Sequence, residues 1–268
     1  MKKIFCFLMA VLLLLSCGIS GYAEGNTLTA DLVLQRLAEG EDTSETSGDQ
    51  AANGALRLAE MLVALDALSI ETQEEADHLN RILDKLVEID VPDESIEQKL
   101  AMGLMKTFEA LIIFQQQADQ DGAYEEELQQ IYDSFVENDD KADGAKQQAV
   151  NGLYHSVLAA SLIVRGFSRN EAVIRQIEEE LAAFDEADKN HAETDVDQLL
   201  LGSETLFRML TALASVLDAD GSFSAELREI SENTYVADDQ NGEATFRLAN
   251  WLYGCVYMTD VIVGEIKA

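Results

Sequence analysis

A glycine recurs along this chain inside an apolar helical pattern, at Gly54, Gly103, Gly152, Gly202 and Gly242, with intervals of 49, 49, 50 and 40 residues. An interval near fifty residues accommodates one helix-turn-helix hairpin, a unit that cannot bury its apolar face alone and must stack on copies of itself. A glycine inside a helix costs about 1 kcal/mol relative to alanine. Its return at one position of successive units implies an offsetting gain, most simply the close approach of a neighbouring helix where a side chain would clash. The expected fold class is all-α, with helical-hairpin repeats of period about 49 residues stacked as an α-solenoid or a compact α/α bundle.

Two helix types alternate. The longer type carries the glycine, and in its fourth occurrence Leu206, Met209, Leu210, Leu213 and Leu217 fall on one face of a 3.6-residue helix. Its apolar residues spread widely, as in Phe108 with Leu111, Ile112, Ile113 and Phe114. The shorter type is acidic with one apolar stripe: Leu79, Ile82, Leu83, Leu86 in the first, then Leu128, Ile131, Tyr132, Phe135 in the second. Longer helices therefore belong inside and shorter ones outside. Asp49, Asp93 or Ser95, Asp143, Thr194 or Asp195, and Asp238 or Asp239 stand where N-caps are expected. The last unit is one long helix containing Trp251, Leu252, Val256 and Tyr257, apolar almost all round and expected to close the array.

Lys2 and Lys3 precede an apolar run from Ile4 to Leu15, too short to span a bilayer comfortably, which reads as an export signal over residues 1–23. Leu14-Leu15-Ser16-Cys17 resembles the lipobox of bacterial lipoproteins, which implies cleavage before Cys17 and lipid attachment to it. Gly21-Tyr22-Ala23 offers an ordinary cleavage site after Ala23. Residues 24–48 read as an N-terminal cap helix and polar linker, and residues 49–268 as the helical repeat domain. The expected location is extracytoplasmic, either secreted or lipid-anchored at the cell surface.

Fifty-one acidic residues against eighteen basic ones give a net charge of −33, and cleavage after residue 23 moves it to −35 by removing two lysines and no carboxylate. Such a field repels nucleic acid and anionic lipid, so membrane association is expected only through the anchor. It favours a basic protein partner or divalent cations. Cys255 is the single cysteine beyond Cys17, so no internal disulfide staples the fold.

The sharpest candidate for chemistry is a pair of turns, Asp119-Gln-Asp121-Gly122 and Asp218-Ala-Asp220-Gly221, at equal offsets from their repeat glycines. Paired carboxylates at a glycine turn resemble the start of a calcium loop, which makes Asp119, Asp121, Asp218 and Asp220 candidate Ca²⁺ ligands. The EF-hand pattern departs at position one, Gln117 or Val216, and at position twelve, Leu128 or Leu227. The plainer reading is an Asx-type turn between helices. Glu75-x-x-His78 has the spacing of carboxylate-bridged di-metal bundles but is half a site, and His78, His155 and His191 at unrelated repeat positions read as surface residues. There is no Gly-x-Ser-x-Gly elbow, and Cys255 lies mid-helix where a buried, inert thiol is expected. No catalytic set or cofactor follows. The function expected is a binding or scaffolding module presenting an acidic surface to a protein partner. The alternatives are a Ca²⁺-binding protein or, since toroids of similar hairpins host such enzymes, a glycan hydrolase.

Overall fold

The computed structural model describes residues 28–39, 46–70, 72–91, 94–119, 122–168, 170–190, 192–218, 220–240 and 242–267. Among the described residues there are ten helices and no strand: α1 (Ala30–Glu39), α2 (Ser47–Asp66), α3 (Gln73–Ile89), α4 (Ile96–Ala118), α5 (Glu125–Asp139), α6 (Ala145–Phe167), α7 (Glu171–Asn190), α8 (Asp195–Leu217), α9 (Ser224–Gln240) and α10 (Ala244–Lys267).

Side-chain polarity sorts them into two layers. The long helices α2, α4, α6, α8 and α10 pack each on the next, and α10 packs back on α2. The array is a closed ring. Each outer helix makes one return, so the inner helices run in a common direction, starting at residues 47, 96, 145, 195 and 244. Outside them, α3 lies on α2 and α4, α5 mainly on α6, α7 on α6 and α8, and α9 on α8 and α10. The short α1 packs on α2, and its Asp31 takes an ion pair of 2.6 Å from Lys267 at the end of α10. At the other end of this seam the Ser47 hydroxyl donates to Glu243 at 2.8 Å.

Burial follows the same division. Leu58, Leu104, Phe108, Leu206, Phe207 and Trp251 on inner helices are fully buried, whereas α3 buries one stripe of Leu79, Ile82, Leu83 and Leu86. Each such side chain contributes about 1.5–3 kcal/mol. α8 is long and apolar enough to cross a membrane by length and composition alone, and here its apolar surface packs against α6 and α10.

Four of the five repeat glycines sit where helices meet. A Cβ on Gly103 would lie 2.7 Å from the Ala55 backbone, on Gly152 2.8 Å from Met105 N, on Gly202 2.9 Å from Leu153, and on Gly54 3.1 Å from Leu252. Each contact falls one or two residues past the corresponding position on the neighbouring helix, so adjacent helices pass at one height. Gly242 is a correction. It lies in the α9–α10 connection with nothing near its Cβ position, and the residue 49 past Gly202 is Trp251.

The caps also differ in part from expectation. Ser95 and Thr194 are N-caps, each closing a capping box with Gln98 and Asp197. Asp49 instead occupies the third helical position, where its carboxylate reaches back to the true cap, Thr46. Gly144, at φ +99°, caps α6 in place of Asp143, and Asp238 lies inside α9. A third-position Asp satisfies the orphan amide of the cap residue, which explains why an acid near a helix start mimics a cap in sequence.

Candidate functional site

The unequal seating of the outer helices opens a groove. Because α3 lies against α4 while α5 leans toward α6, the outward face of α4 between them is covered only loosely. The groove has a volume of about 630 Å³. Its floor is apolar, formed by Ile112 and Ile113 of α4 with Leu128 and Phe135 of α5, all at least nine-tenths buried. Its walls are polar: His78 from α3, Glu109, Gln115 and Gln116 from α4, then Glu125, Gln129 and Tyr132 from α5. Among the described residues no lysine or arginine lines it. Lys106, nearly two turns before the floor, pairs with Glu109 at 2.6 Å.

Asp119, at the end of α4, also lines the groove, but its carboxylate is engaged by the chain itself. It accepts from the backbone amides of Ala123 at 2.9 Å and Tyr124 at 2.8 Å, and Gly122 at φ +66° supplies the left-handed step. The second turn repeats this, with Asp218 accepting from Phe223 N at 3.2 Å and from the Ser224 hydroxyl at 2.7 Å, and Gly221 at φ +77°. Asp220 accepts from Ser222 N at 2.9 Å, and the Ser222 hydrogen bonds hold its carboxyl below the usual range. Burial pushes the nearby Glu265 carboxyl up, and the charges of Asp220 and Asp218 push it further. The structure thus places Asp119 in the groove and Asp218 and Asp220 beside Glu265. Among the described residues no group of three or more His, Cys, Asp or Glu is disposed to hold a metal ion. Asp121 and Cys17 lie outside the described residues.

The histidines separate into different roles. His78 faces the groove, while the Glu75 carboxylate of the Glu-x-x-His spacing accepts from Thr72 N at 2.8 Å as part of the α3 capping box. His191 lies outside the described residues. His155 is fully buried, not at the surface as its repeat position implied, among Phe108, Phe135 and Tyr154. Its Nδ1 meets the Asn151 carbonyl at 2.8 Å and its Nε2 the Ser134 hydroxyl at 3.2 Å, and burial lowers its pKa. A serine within reach of a neutral imidazole has the spacing of a nucleophile and its base. Ser134, however, is mid-helix, where backbone amides are committed to helical bonds and none is free to stabilise an oxyanion, and neither residue lines the groove. Ser134 instead satisfies a buried ring nitrogen. Burial also pushes the Cys255 thiol far up, in keeping with an inert core residue.

Sequence reasoning placed Ile112, Ile113, Leu128 and Phe135 in the core and did not see that they floor an open groove. Two signals pointed there. Tyr132, assigned to the apolar stripe of α5, is 45% exposed. The run Gln115-Gln116-Gln117 interrupts an apolar inner helix, and Gln115 is 2% exposed yet lines the groove.

No family model, no curated protein and no solved structure matches the chain.

Proposed function

We propose that the protein is a binding or scaffolding module of the extracytoplasmic space, secreted or anchored through Cys17, which presents the α3–α5 groove to a basic protein partner. One observation carries this reading: an open groove of about 630 Å³ with an apolar floor and walls of amides and carboxylates, free of lysine and arginine, on a chain of net charge −33. Apolar floors with a few placed polar groups are the common form of binding sites, and the summed negative potential draws cationic partners toward them. The closed ring supplies a rigid support. Its inner helices meet at backbone distance, which fixes α4, the helix that carries much of the groove floor.

The test uses a photo-reactive phenylalanine analogue in place of Tyr132, which lines the groove, and separately in place of Tyr257, an exposed tyrosine on α10. After irradiation of intact cells, the expected result is a basic protein cross-linked from position 132 and not from position 257. Recovery of no protein from either position, under conditions that capture known neighbours, would remove the reading.

A further inference from the structure

We infer that the groove between α3 and α5 takes an extended peptide segment of four to five residues carrying lysine or arginine together with aliphatic side chains. This rests on the binding reading above and specifies its ligand.

The chemistry of the lining separates this ligand from others. Gln115, Gln116 and Gln129 each offer a hydrogen-bond donor and an acceptor, the pair of groups that an extended backbone presents at every residue. A helical ligand keeps those groups for itself and has no use for amides. Gln115 is the decisive residue. It stands in the register of Val164, Ala214 and Val263 on three of the other four inner helices, all of them in the buried register that Asp66 of α2 completes, so an aliphatic side chain suits the packing in most copies. An amide at that position, on a residue 98% buried that also lines the groove, is placed to pair with an occupant.

The apolar floor distinguishes a peptide from a glycan. Ile112, Ile113 and Leu128 give aliphatic side chains a dry surface, whereas sugar rings stack on aromatic platforms, and among the described residues Tyr132 is the only exposed aromatic lining this groove. Charge sets the sign of the ligand. Glu125 faces the groove, as does Glu109 in its ion pair with Lys106, and the matching positions 99 residues on, below α9, carry Arg208 and Arg228 where the groove has Glu109 and Gln129. The cation preference therefore belongs to this hairpin and not to the repeat. A second copy of the chain, with the same net charge of −33, is repelled. Length follows from geometry: Glu109 to Asp119 spans about 15 Å along a helix axis, which matches four to five residues of extended chain at about 3.3 Å each.

The test measures fluorescence anisotropy of the labelled peptide Lys-Val-Lys-Leu-Lys, blocked at both ends, with the purified protein. Glu-Val-Glu-Leu-Glu, maltopentaose and a helical lysine–leucine peptide serve as competitors. The basic extended peptide is expected to bind and the competitors to displace it poorly. Gln115→Val, which keeps the packing of the equivalent helices, should weaken binding about tenfold. Glu125→Gln should weaken it about threefold and flatten its salt dependence, while Glu226→Gln on the remote α9 leaves it unchanged. Equal affinity for all these variants would assign the peptide to the general acidic surface and overturn the groove, leaving the binding-module reading intact. Tighter binding of maltopentaose or of the helical peptide, or no peptide binding at low salt, would also overturn it. Groove-dependent binding without any cross-linked protein neighbour in cells would uphold the site and remove the module reading instead.

Discussion

Asp66 is the least expected single residue in the structure. It is fully buried at the end of α2, both carboxylate oxygens lack a partner, and burial raises its pKa well above the ordinary value. It shares the register of Gln115, and the three other members of that register are aliphatic. A carboxyl whose folded pKa is raised contributes most favourably below its unfolded value, near 3.9, and that contribution is lost as pH rises through the folded value. Asp66 therefore weighs against folding at neutral pH. An unpaired amide costs less to bury than an ionised carboxylate, so Asp66→Asn should raise stability at pH 7 by about 1 kcal/mol. Thermal melts at pH 7 and pH 4 check this, with the gain expected to shrink at the lower pH. A gain independent of pH would mean that the carboxyl does not titrate in this window.

Helix contacts explain why the glycine interval was readable and where it misled. In solvent, Gly103→Ala would favour α4 by about 1 kcal/mol through helix propensity. Here the new Cβ would fall 2.7 Å from the Ala55 backbone, which cannot turn aside as a side chain can. Forcing α2 and α4 apart should cost about 1–3 kcal/mol, and Gly242→Ala, with open space around it, should cost far less. Urea denaturation of both variants decides the point, and a stabilised Gly103→Ala would remove the close-approach account. Layers were legible for the same physical reason: inner helices touch neighbours on several sides and outer ones on one stripe. The true fifth member of the glycine register was not legible, because Trp251 shares no chemistry with glycine. What Trp251 shares is its place. Asn250 before it donates to the Thr234 carbonyl at 2.8 Å, as Asn151 before Gly152 donates to the Phe135 carbonyl at 3.0 Å. Asn250, and not the Asn241 that precedes Gly242 in sequence, is thus the structural counterpart of Asn151. The groove escaped notice for a different reason. Periodicity reports that Ile112 and Leu128 face inward along their helices, but not that α5 leans toward α6 and leaves a groove over them.

At the scale of the whole molecule, closure of the ring and the charge of −33 act against each other. The ring holds the acidic outer helices close together, whereas unfolding lets the charges separate, so repulsion lowers stability most where screening is weakest. Raising potassium chloride from 0.01 M to 0.1 M shortens the screening length from about 30 Å to about 10 Å. The melting temperature should rise over that range and then level off. Calcium adds a sharper comparison at matched ionic strength, because a bound ion stabilises by mass action while screening depends on ionic strength alone. With both oxygens of Asp119 on backbone amides, and those of Asp218 on an amide and a serine hydroxyl, an ion at either turn would compete with the bonds that start α5 and α9 for the same carboxylates. Calcium is therefore expected to add nothing beyond screening. An excess that vanishes in Asp218→Asn would reverse this conclusion and make the turns an ion site, since that substitution keeps the turn's acceptor while removing its charge.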